Sequence, residues 1–362
     1  MAVGEAVRVD VDTAFDASHP DAGSDDASVG GFSGKELMRF ARTVASTAAA
    51  LLLLASPLAQ AQTGKVWRIG WLQPVTLPPS LLDAVRQGLS DAGYVESKNL
   101  RIEYRWAEGK SERLPELAAE LVRLKVDLLM SGNTQALQAL KHATTTIPIV
   151  MLGAGDPVGT GLVDNLARPG GNITGTTVIA KELSPKRLDL VKQLVPGLAR
   201  VAYITNPANP INMLSLRETE EAGRLSGISV QALLVHSPDE LAPALTSMVK
   251  NRAEALIVAP DTLLMSERSR IVDFATTNRI PSIFFDRIFV EAGGLMSYGP
   301  DFPDTYRRAA SHIDKILKGA KPGDLPVERP TKIDFVINLK TARDLGLTIP
   351  QPVLLQASDL IR

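Results

Sequence analysis

Residues 126–156, VDLLMSGNTQALQALKHATTTIPIVMLGAGD, decide the fold. The short apolar run 126–130 is typical of a strand that is buried on both faces of a parallel sheet. Apolar residues at helical spacing predict a helix over 134–143, and 147–152 forms a second apolar run of strand length. Two parallel strands joined by a helix make a βαβ unit, which indicates a doubly wound α/β sheet.

The same rhythm of strand and helix continues on both sides of this unit. The sequence predicts further strands at 66–72, 100–106, 173–178, 200–205, 228–235, 255–259 and 280–285. It predicts further helices at 79–92, 111–125, 185–194, 211–225, 239–251 and 267–278. Because the rhythm restarts near residue 173 without a long linker, we expect two lobes of similar size with a cleft between them.

The composition excludes several classes of function. The 362 residues carry 39 basic and 40 acidic side chains, a formal net charge of −1, and no cysteine. This balance gives no electrostatic case for binding nucleic acid or an anionic membrane surface. Without cysteine there are no disulfides, no thiolate metal sites, no cysteine nucleophile and no lipid attached through cysteine.

Motifs for catalysis and cofactor binding are missing from the sequence. It has neither a GxxxxGK[ST] phosphate loop nor a GxSxG nucleophile elbow. The run Gly153-Ala154-Gly155 lacks the GxGxxG spacing of a dinucleotide loop. The histidines lie far apart, without metal-ligand spacing, at His19, His142, His236 and His312. We therefore predict no enzyme, no cofactor and no metal site.

Residues 38–61, MRFARTVASTAAALLLLASPLAQA, have the layout of a secretory signal peptide. Arg39 and Arg42 form a positive n-region, 44–54 is apolar, and a small-residue cleavage signal ends at Ala61. The apolar stretch is shorter than the ~20 residues that a membrane-spanning helix needs. We predict export to a periplasm, cleavage near Ala61, no lipid anchor and no stable membrane insertion.

Residues 1–37 differ in composition from the rest of the chain. They contain eight acidic and two basic side chains, scattered glycine and serine, and few large apolar residues. This composition is typical of a disordered tail, and acidic residues oppose the positive n-region of an export signal. Translation from Met1 and from Met38 both stay open. We favour Met38, with 1–37 as a non-native or disordered leader.

Candidate ligand-binding residues lie directly after the predicted strands. In parallel α/β sheets, ligands bind beyond the carboxyl ends of the strands, where helix N-termini offer free N–H groups. The candidates are Gln73, Asn133, Thr134, Gly155, Asp156, Asn206, Asn209, Asp261, Asp286 and Tyr298. Turns and helix caps use the same residue types, and paired aspartates would also suit acid–base catalysis. Because loops of both lobes would point at one cleft, a ligand site is the favoured interpretation.

Four segments of the chain resemble one protein family. They are 155–175 (GDPVGTGLVDNLARPGGNITG), 206–210 (NPANP), 297–301 (SYGPD) and 325–350 (LPVERPTKIDFVINLKTARDLGLTIP). Together they resemble the ABC transporter substrate-binding protein family that includes tryptophan- and phenylalanine-binding members. The resemblance implies the type I periplasmic-binding-protein fold, an α/β fold in which a three-crossover hinge joins two Rossmann-like lobes with parallel sheets. It also implies that 65–177 and 298–330 form lobe 1, and that 178–297 and 331–362 form lobe 2.

The resemblance implies a carrier without catalysis. We expect the chain to bind an amino acid or small carboxylate in the cleft and, as a monomer, to deliver it to the membrane subunits of an ABC permease. The carboxylate of an amino acid would suit the helix N-terminus at Asn133 and Thr134. Its ammonium would suit Asp261 or Asp286, and Asn209 would bond either end. A sensor that presents its closed form to a receptor is the main alternative, and an α/β enzyme is a weaker one.

Two positions depart from the family pattern. The first loop reads QPVTLP over 73–78, and Tyr306-Arg307 stands where many relatives have a glycine in the helix after SYGPD. The sequence therefore leaves the identity of the ligand open.

Overall fold

Two β-sheets form the framework of the protein in a computed structural model, which describes residues 65–362. Strands and helices alternate along most of the chain. The predicted α/β fold of two Rossmann-like lobes is confirmed. The predicted leader, 1–37, and the predicted signal peptide, 38–61, lie outside the described residues.

The first sheet has five parallel strands in the order β2-β1-β3-β4-β5. They are β1 (Trp67–Gln73), β2 (Leu100–Trp106), β3 (Leu128–Ser131), β4 (Ile149–Ala154) and β5 (Ile173–Thr177). Every residue of β3, β4 and β5 is buried, as expected for a parallel sheet with both faces covered. The helices between them are α1 (Pro79–Asp91), α2 (Leu114–Arg123) and α3 (Thr134–Ala143). We call this sheet and the helices that pack on it lobe 1.

The second sheet has seven strands in the order β12-β11-β10-β9-β8-β6-β7 and is the basis of lobe 2. Its strands are β6 (Arg200–Thr205), β7 (Ser229–Leu234), β8 (Ala255–Val258), β9 (Ser282–Phe284), β10 (Met296–Pro300), β11 (Ile333–Asn338) and β12 (Asp359–Ile361). The helices in this half of the chain are α4 (Ala180–Leu194), α5 (Pro210–Ser226), α6 (Leu241–Lys250), α7 (Thr262–Ser266), α8 (Arg268–Thr277), α9 (Arg287–Glu291), α10 (Phe302–Leu317), α11 (Leu339–Asp344) and α12 (Gln351–Leu354).

One strand pair in lobe 2 departs from the parallel pattern. β10 and β11 are antiparallel, with Met296 opposite Ile337. After β10 the chain forms α10, which packs against α1, β4 and β5 of lobe 1. It then runs past Glu328, which pairs with Thr176 of β5. Because the chain returns to the second sheet at the edge from which β10 left it, β11 runs in the opposite direction.

The chain passes between the two lobes three times, as the predicted three-crossover hinge requires. The passages lie between β5 and α4, between β10 and α10, and between Glu328 and β11. β10 extends through Pro300, which is paired with Ile333 of β11 in the second sheet. The division into two bodies at the bounds stated above stays a prediction.

Two helices begin at other residues than the sequence pattern predicts. α4 begins at Ala180, five residues before the predicted start, and contains Pro185 within it; the proline removes one backbone hydrogen bond from the helix. The short helix α7 precedes α8, because the carboxylate of Asp261 accepts the N–H of Leu263 at 2.8 Å and caps it.

A close helix crossing holds α10 on lobe 1. Gly88 of α1 is buried there, and an added Cβ would overlap the carbonyl oxygen of Arg307 and stand 2.9 Å from Cβ of Ala310. The absence of a side chain at Gly88 therefore sets the distance between the two helices.

Replacing Gly88→Ala is expected to lower the free energy of unfolding by about 1–3 kcal/mol, because the added methyl overpacks the crossing. This loss exceeds the gain of up to ~1 kcal/mol that alanine brings to a helix. Urea denaturation measures the change. Ser90→Ala, on the exposed side of the same helix, is the control and should change stability little. A Gly88→Ala variant at least as stable as the wild type would contradict the close crossing.

Candidate functional site

A cavity of about 520 Å³, its open mouth included, lies between the two lobes. It adjoins the residues that directly follow β3, β6 and β8, which is where ligands bind in doubly wound sheets. The residues that line it are Leu77, Leu81, Gly132, Asn133, Thr134, Gly153, Gly155, Val178, Ala180, Asn209, Ile211, Pro260, Asp261, Thr262, Met265, Phe285, Phe302 and Tyr306.

The N-terminus of α3 forms a polar part of the wall in lobe 1. The side chain of Asn133 caps this helix by accepting the N–H of Ala136 at 3.1 Å. The N–H groups of Thr134 and Gln135 have no acceptor inside the helix, because the first turn has no preceding carbonyls. Together with the helix dipole they favour a negatively charged group here.

The carboxylate of Asp261 organises the wall in lobe 2. It is 5% exposed and accepts four hydrogen bonds, two at each oxygen. Oδ1 accepts from Asn206 at 3.3 Å and from the N–H of Leu263, and Oδ2 accepts from Asn209 at 2.9 Å and Asn212 at 3.1 Å. Burial raises the pKa of Asp261, and these donors oppose that rise. A carboxylate that already has four donors holds the asparagines in place and has little capacity left for a ligand.

The orientation of Asn209 follows from this network. Since the carboxylate of Asp261 only accepts hydrogen bonds, Asn209 has to present its NH₂ group to it. The amide oxygen Oδ1 of Asn209 is therefore turned away. This oxygen is buried and makes no hydrogen bond with any described residue, while the residue lines the cavity. A residue of the cavity wall thus carries an amide oxygen that has no partner among the described residues, and Asp261 fixes the orientation of this amide.

Asp286 is a second buried carboxylate close to the cavity. It is 6% exposed, follows the cavity-lining residue Phe285, and caps α9 by accepting the N–H of Ile288 at 2.9 Å. The pKa of Asp286 is raised to about 6, mainly by burial and also by the charges of Glu291 and Asp334, while the hydrogen bond from Ile288 and the charge of Arg287 lower it. Unlike Asp261, it has a single described donor, so it has capacity for a cationic group.

Tyr306 and Gln73 lie together at the carboxyl edge of the first sheet. Tyr306 projects from α10, lines the cavity and is 3% exposed. Burial raises the pKa of Tyr306, the charge of Asp286 raises it further, and the neighbouring amide of Gln73 lowers it. The hydroxyl of Tyr306 therefore stays neutral at ordinary pH. Gln73, the last residue of β1, is fully buried.

The structure brings most of the predicted site residues together. Those that line the cavity are Asn133, Thr134, Gly155, Asn209 and Asp261. Three further candidates do not line the cavity but each lie next to a lining residue; they are Gln73, Asn206 and Asp286. These positions are compatible with the predicted roles, which stay predictions.

Two predicted site residues lie elsewhere. Asp156 accepts the N–H of Gly159 at 2.9 Å and so shapes its own turn. Tyr298 packs edge-on against Phe335 in the second sheet, at 5.8 Å between ring centroids. Neither lines the cavity. Both follow or belong to a strand, but position along the chain does not tell to which side a side chain turns.

The sequence pattern missed the apolar part of the wall. The large apolar lining residues are Leu77, Leu81, Ile211, Met265, Phe285, Phe302 and Tyr306. Most of them lie on helices at apolar positions, and such positions predict core rather than a ligand site. Among these residues, the sequence singled out only Tyr306, as a position that departs from the family pattern.

Contacts across the cavity join the two lobes. The amide Nδ2 of Asn133 lies 3.3 Å from Oγ1 of Thr262, and Nε2 of Gln135 donates to the carbonyl of Ala208 at 2.7 Å. An added Cβ at Gly155 would overlap Cγ1 of Ile211 and stand 2.9 Å from its Cβ. The lobes therefore approach each other closely, and the missing side chain at Gly155 permits this.

Other kinds of site find no support between residues 65 and 362. No group of three or more His, Asp or Glu side chains there is arranged to hold a metal ion. No helix in that part of the chain is long and apolar enough to cross a membrane.

Comparisons with known proteins point to one family. Residues 75–361 match the family model described as ABC transporter substrate binding protein. The tyrosine-binding protein of Clostridioides difficile (strain R20291) is 28% identical over 270 residues, which are 74% of this chain and 77% of that protein.

Solved structures give the same result. A crystal structure of an ABC domain from Streptococcus pneumonia in complex with L-Trp shares 30% identity, over 82% of this chain and 99% of that one, with a TM-score of 0.74. A ligand-free, open structure of a substrate binding protein with adhesive properties from Clostridium difficile shares 26% identity, over 82% and 99%, with a TM-score of 0.57. The contacts across the cavity indicate a closed arrangement of the lobes.

Replacing Asp286→Asn is expected to stabilise the protein at neutral pH. A raised pKa means that the folded state holds the proton more tightly than the unfolded state, so stability falls as the pH rises from about 4 to about 6. Asparagine cannot ionise and caps a helix as well as aspartate does. The variant should therefore be more stable by about 1–3 kcal/mol at pH 7.5, and the difference should vanish near pH 4.

Thermal unfolding at the two pH values measures this effect. Asp273→Asn, on the exposed surface of α8, is the matched control and should show no such pH dependence. An equal difference between Asp286→Asn and the wild type at both pH values would contradict a raised pKa.

Proposed function

The chain belongs to the ABC transporter substrate binding protein family, and on that premise we propose that it binds a free amino acid between its lobes for import. One observation carries this proposal: the cavity has a helix N-terminus on one side and a fixed acceptor with a nearby buried carboxylate on the other. This arrangement is complementary to a zwitterion. The relatives described above, one bound to L-Trp and one named for tyrosine, support the same ligand class.

The carboxylate of the ligand would bind at α3. The N–H groups of Thr134 and Gln135 and the hydroxyl of Thr134 are donors at this end of the cavity. A charged acceptor strengthens such hydrogen bonds, which are shorter and stronger than neutral ones.

The ammonium of the ligand would bind at the opposite wall. Oδ1 of Asn209 would accept one of its protons, and Asp261 would act through Asn209, which it orients. Asp286 would supply the negative charge, because it is buried and has one described donor. The energetic cost of ionising Asp286 in the folded protein would be offset when a cation binds.

Closure would couple binding to recognition by a permease. The bodies that move would be 65–177 with 298–330 and 178–297 with 331–362. A ligand that touches both lobes stabilises the closed form by its difference in affinity for the two forms. The contacts of Asn133 and Gln135 across the cavity would add to that preference.

We place the working protein in the periplasm, exported by the predicted signal peptide and acting as a monomer beside its permease. The family is one of binding proteins, and we assign no catalytic residue.

A screen of free amino acids tests the function. At a concentration 100 times its Kd, the correct ligand should stabilise the protein by about 2.7 kcal/mol, which thermal unfolding detects as a higher Tm. The N-acetyl and methyl-ester forms of the same amino acid are the matched controls. Each removes one charge of the zwitterion, so both should bind at least about tenfold more weakly.

A screen in which no free amino acid raises the Tm would contradict the proposal of amino-acid binding. Equal binding of the methyl ester would instead remove the role of α3. Uptake of the labelled ligand by cells with and without this gene then separates import from sensing, because a sensor would leave uptake unchanged.

Replacing Gly155→Ala is expected to weaken ligand binding on the order of tenfold, because the new methyl meets Ile211 only when the lobes are closed. Isothermal titration calorimetry measures the affinity. In an Ile211→Ala background, where Cγ1 and Cγ2 are gone, the same change should cost much less. An equal loss of affinity in both backgrounds would show that the substitution at Gly155 does not act through closure of the lobes.

A further inference from the structure

The ring of Tyr306 occupies one end of the cavity. An added Cβ at Gly132 would overlap the hydroxyl of Tyr306 and stand 2.7 Å from its Cζ, and one at Gly153 would stand 3.7 Å from its Cε2. Gly132 follows β3 and Gly153 belongs to β4. The hydroxyl lies near the amide of Gln73 at the end of β1. The ring therefore lies across the carboxyl ends of three neighbouring strands of the first sheet.

The two glycines leave room for an aromatic ring at this place. Neither has a side chain, and together they border the space that the ring of Tyr306 fills. Without that ring, the space would be continuous with the cavity, which Tyr306 itself lines. A slot of this shape beside the N-terminus of α3 would suit the ring of an aromatic ligand. In this protein the ring of Tyr306 fills the slot instead.

Tyr306 has little freedom to move out of the way. It is 3% exposed and is part of the hydrophobic core cluster that includes Ala309, Ala310 and Ile313 of α10. Its helix is held by the close crossing at Gly88. A ligand would have to displace a packed aromatic side chain, and closely packed interiors resist such changes.

The rest of the cavity wall is not complementary to a charged ligand side chain. Asp261 and Tyr306 are the ionisable residues among those that line the cavity, and Asp261 already has four donors. The other large lining residues are apolar, such as Leu77, Leu81 and Met265. This surface suits a short, neutral side chain.

We propose that Tyr306 is a specificity-determining residue, whose ring fills the aromatic slot between Gly132 and Gly153 and so restricts the site to amino acids with short, neutral side chains. This inference rests on the proposed function and adds the class of amino acid. It assigns to the ring the exclusion of phenylalanine, tyrosine and tryptophan.

Calorimetric titration of the wild type, Tyr306→Ala and Tyr306→Phe with L-alanine, L-serine, L-phenylalanine and L-tryptophan tests the proposal. The wild type should bind the better small amino acid at least about tenfold more tightly than either aromatic one. Tyr306→Ala should shift this ratio by at least about tenfold toward the aromatic ligands, because it opens the slot. Tyr306→Phe keeps the ring and should leave the ratio unchanged.

Each outcome has a definite reading. A wild type that binds an aromatic amino acid as tightly as the small ones overturns the proposal, whatever the variants do. An unchanged ratio in Tyr306→Ala also overturns it, while amino-acid binding itself would stand. If no amino acid binds to any of the three proteins, the proposed function fails, and this inference fails with it. Should Tyr306→Ala not fold, Tyr306→Leu, which also removes the ring, should show the same shift of the ratio.

Discussion

All strands of a parallel sheet present their carboxyl ends at one edge, and in this protein the chain also crosses between its two sheets at that edge. This constraint determines most of the remaining structure. It places the residues after β3, β6 and β8 around a common cavity. It makes β11 antiparallel to β10, because the chain returns through the edge by which it left. It also places the first residues of α10 in the cavity, where Phe302 and Tyr306 form part of the wall.

The polar residues of the site are stable only as a network. Asp261 would be a costly buried charge if it stood alone, but four donors surround it. That arrangement turns the carboxylate into a support for Asn209 rather than a contact for the ligand. Asp286 has fewer partners, and its raised pKa reflects a charge that the folded protein tolerates at a cost. Perturbed carboxylates of this kind concentrate at functional sites, which agrees with the role that we propose for Asp286.

The predictions from sequence succeeded where a local pattern has one structural meaning. Buried strands such as β3 and β4 were recognisable as apolar runs, and Asn133 was recognisable as a polar residue at the start of a helix. The predictions were less specific where a side chain can turn to either of two sides. Asp156 and Tyr298 follow or belong to strands, as the lining residues do, yet their side chains contact their own turn and the second sheet. The apolar wall at Leu77 and Met265 looked like core, because a ligand-facing apolar residue and a core residue follow the same periodicity.

The sequence by itself determined the α/β class, the two-lobed division of the chain, the family, and the polar loops from which the site is built. These properties follow from periodicity and local motifs, which act over a few residues. The tertiary structure alone decided that Asp261 is saturated by three asparagines and a backbone N–H, that Gly155 lets Ile211 approach, and that the ring of Tyr306 lies against Gly132 and Gly153. Apart from the local bond to the N–H of Leu263, these contacts join residues from 49 to 174 positions apart along the chain, and only the close approach of packed elements brings such residues together.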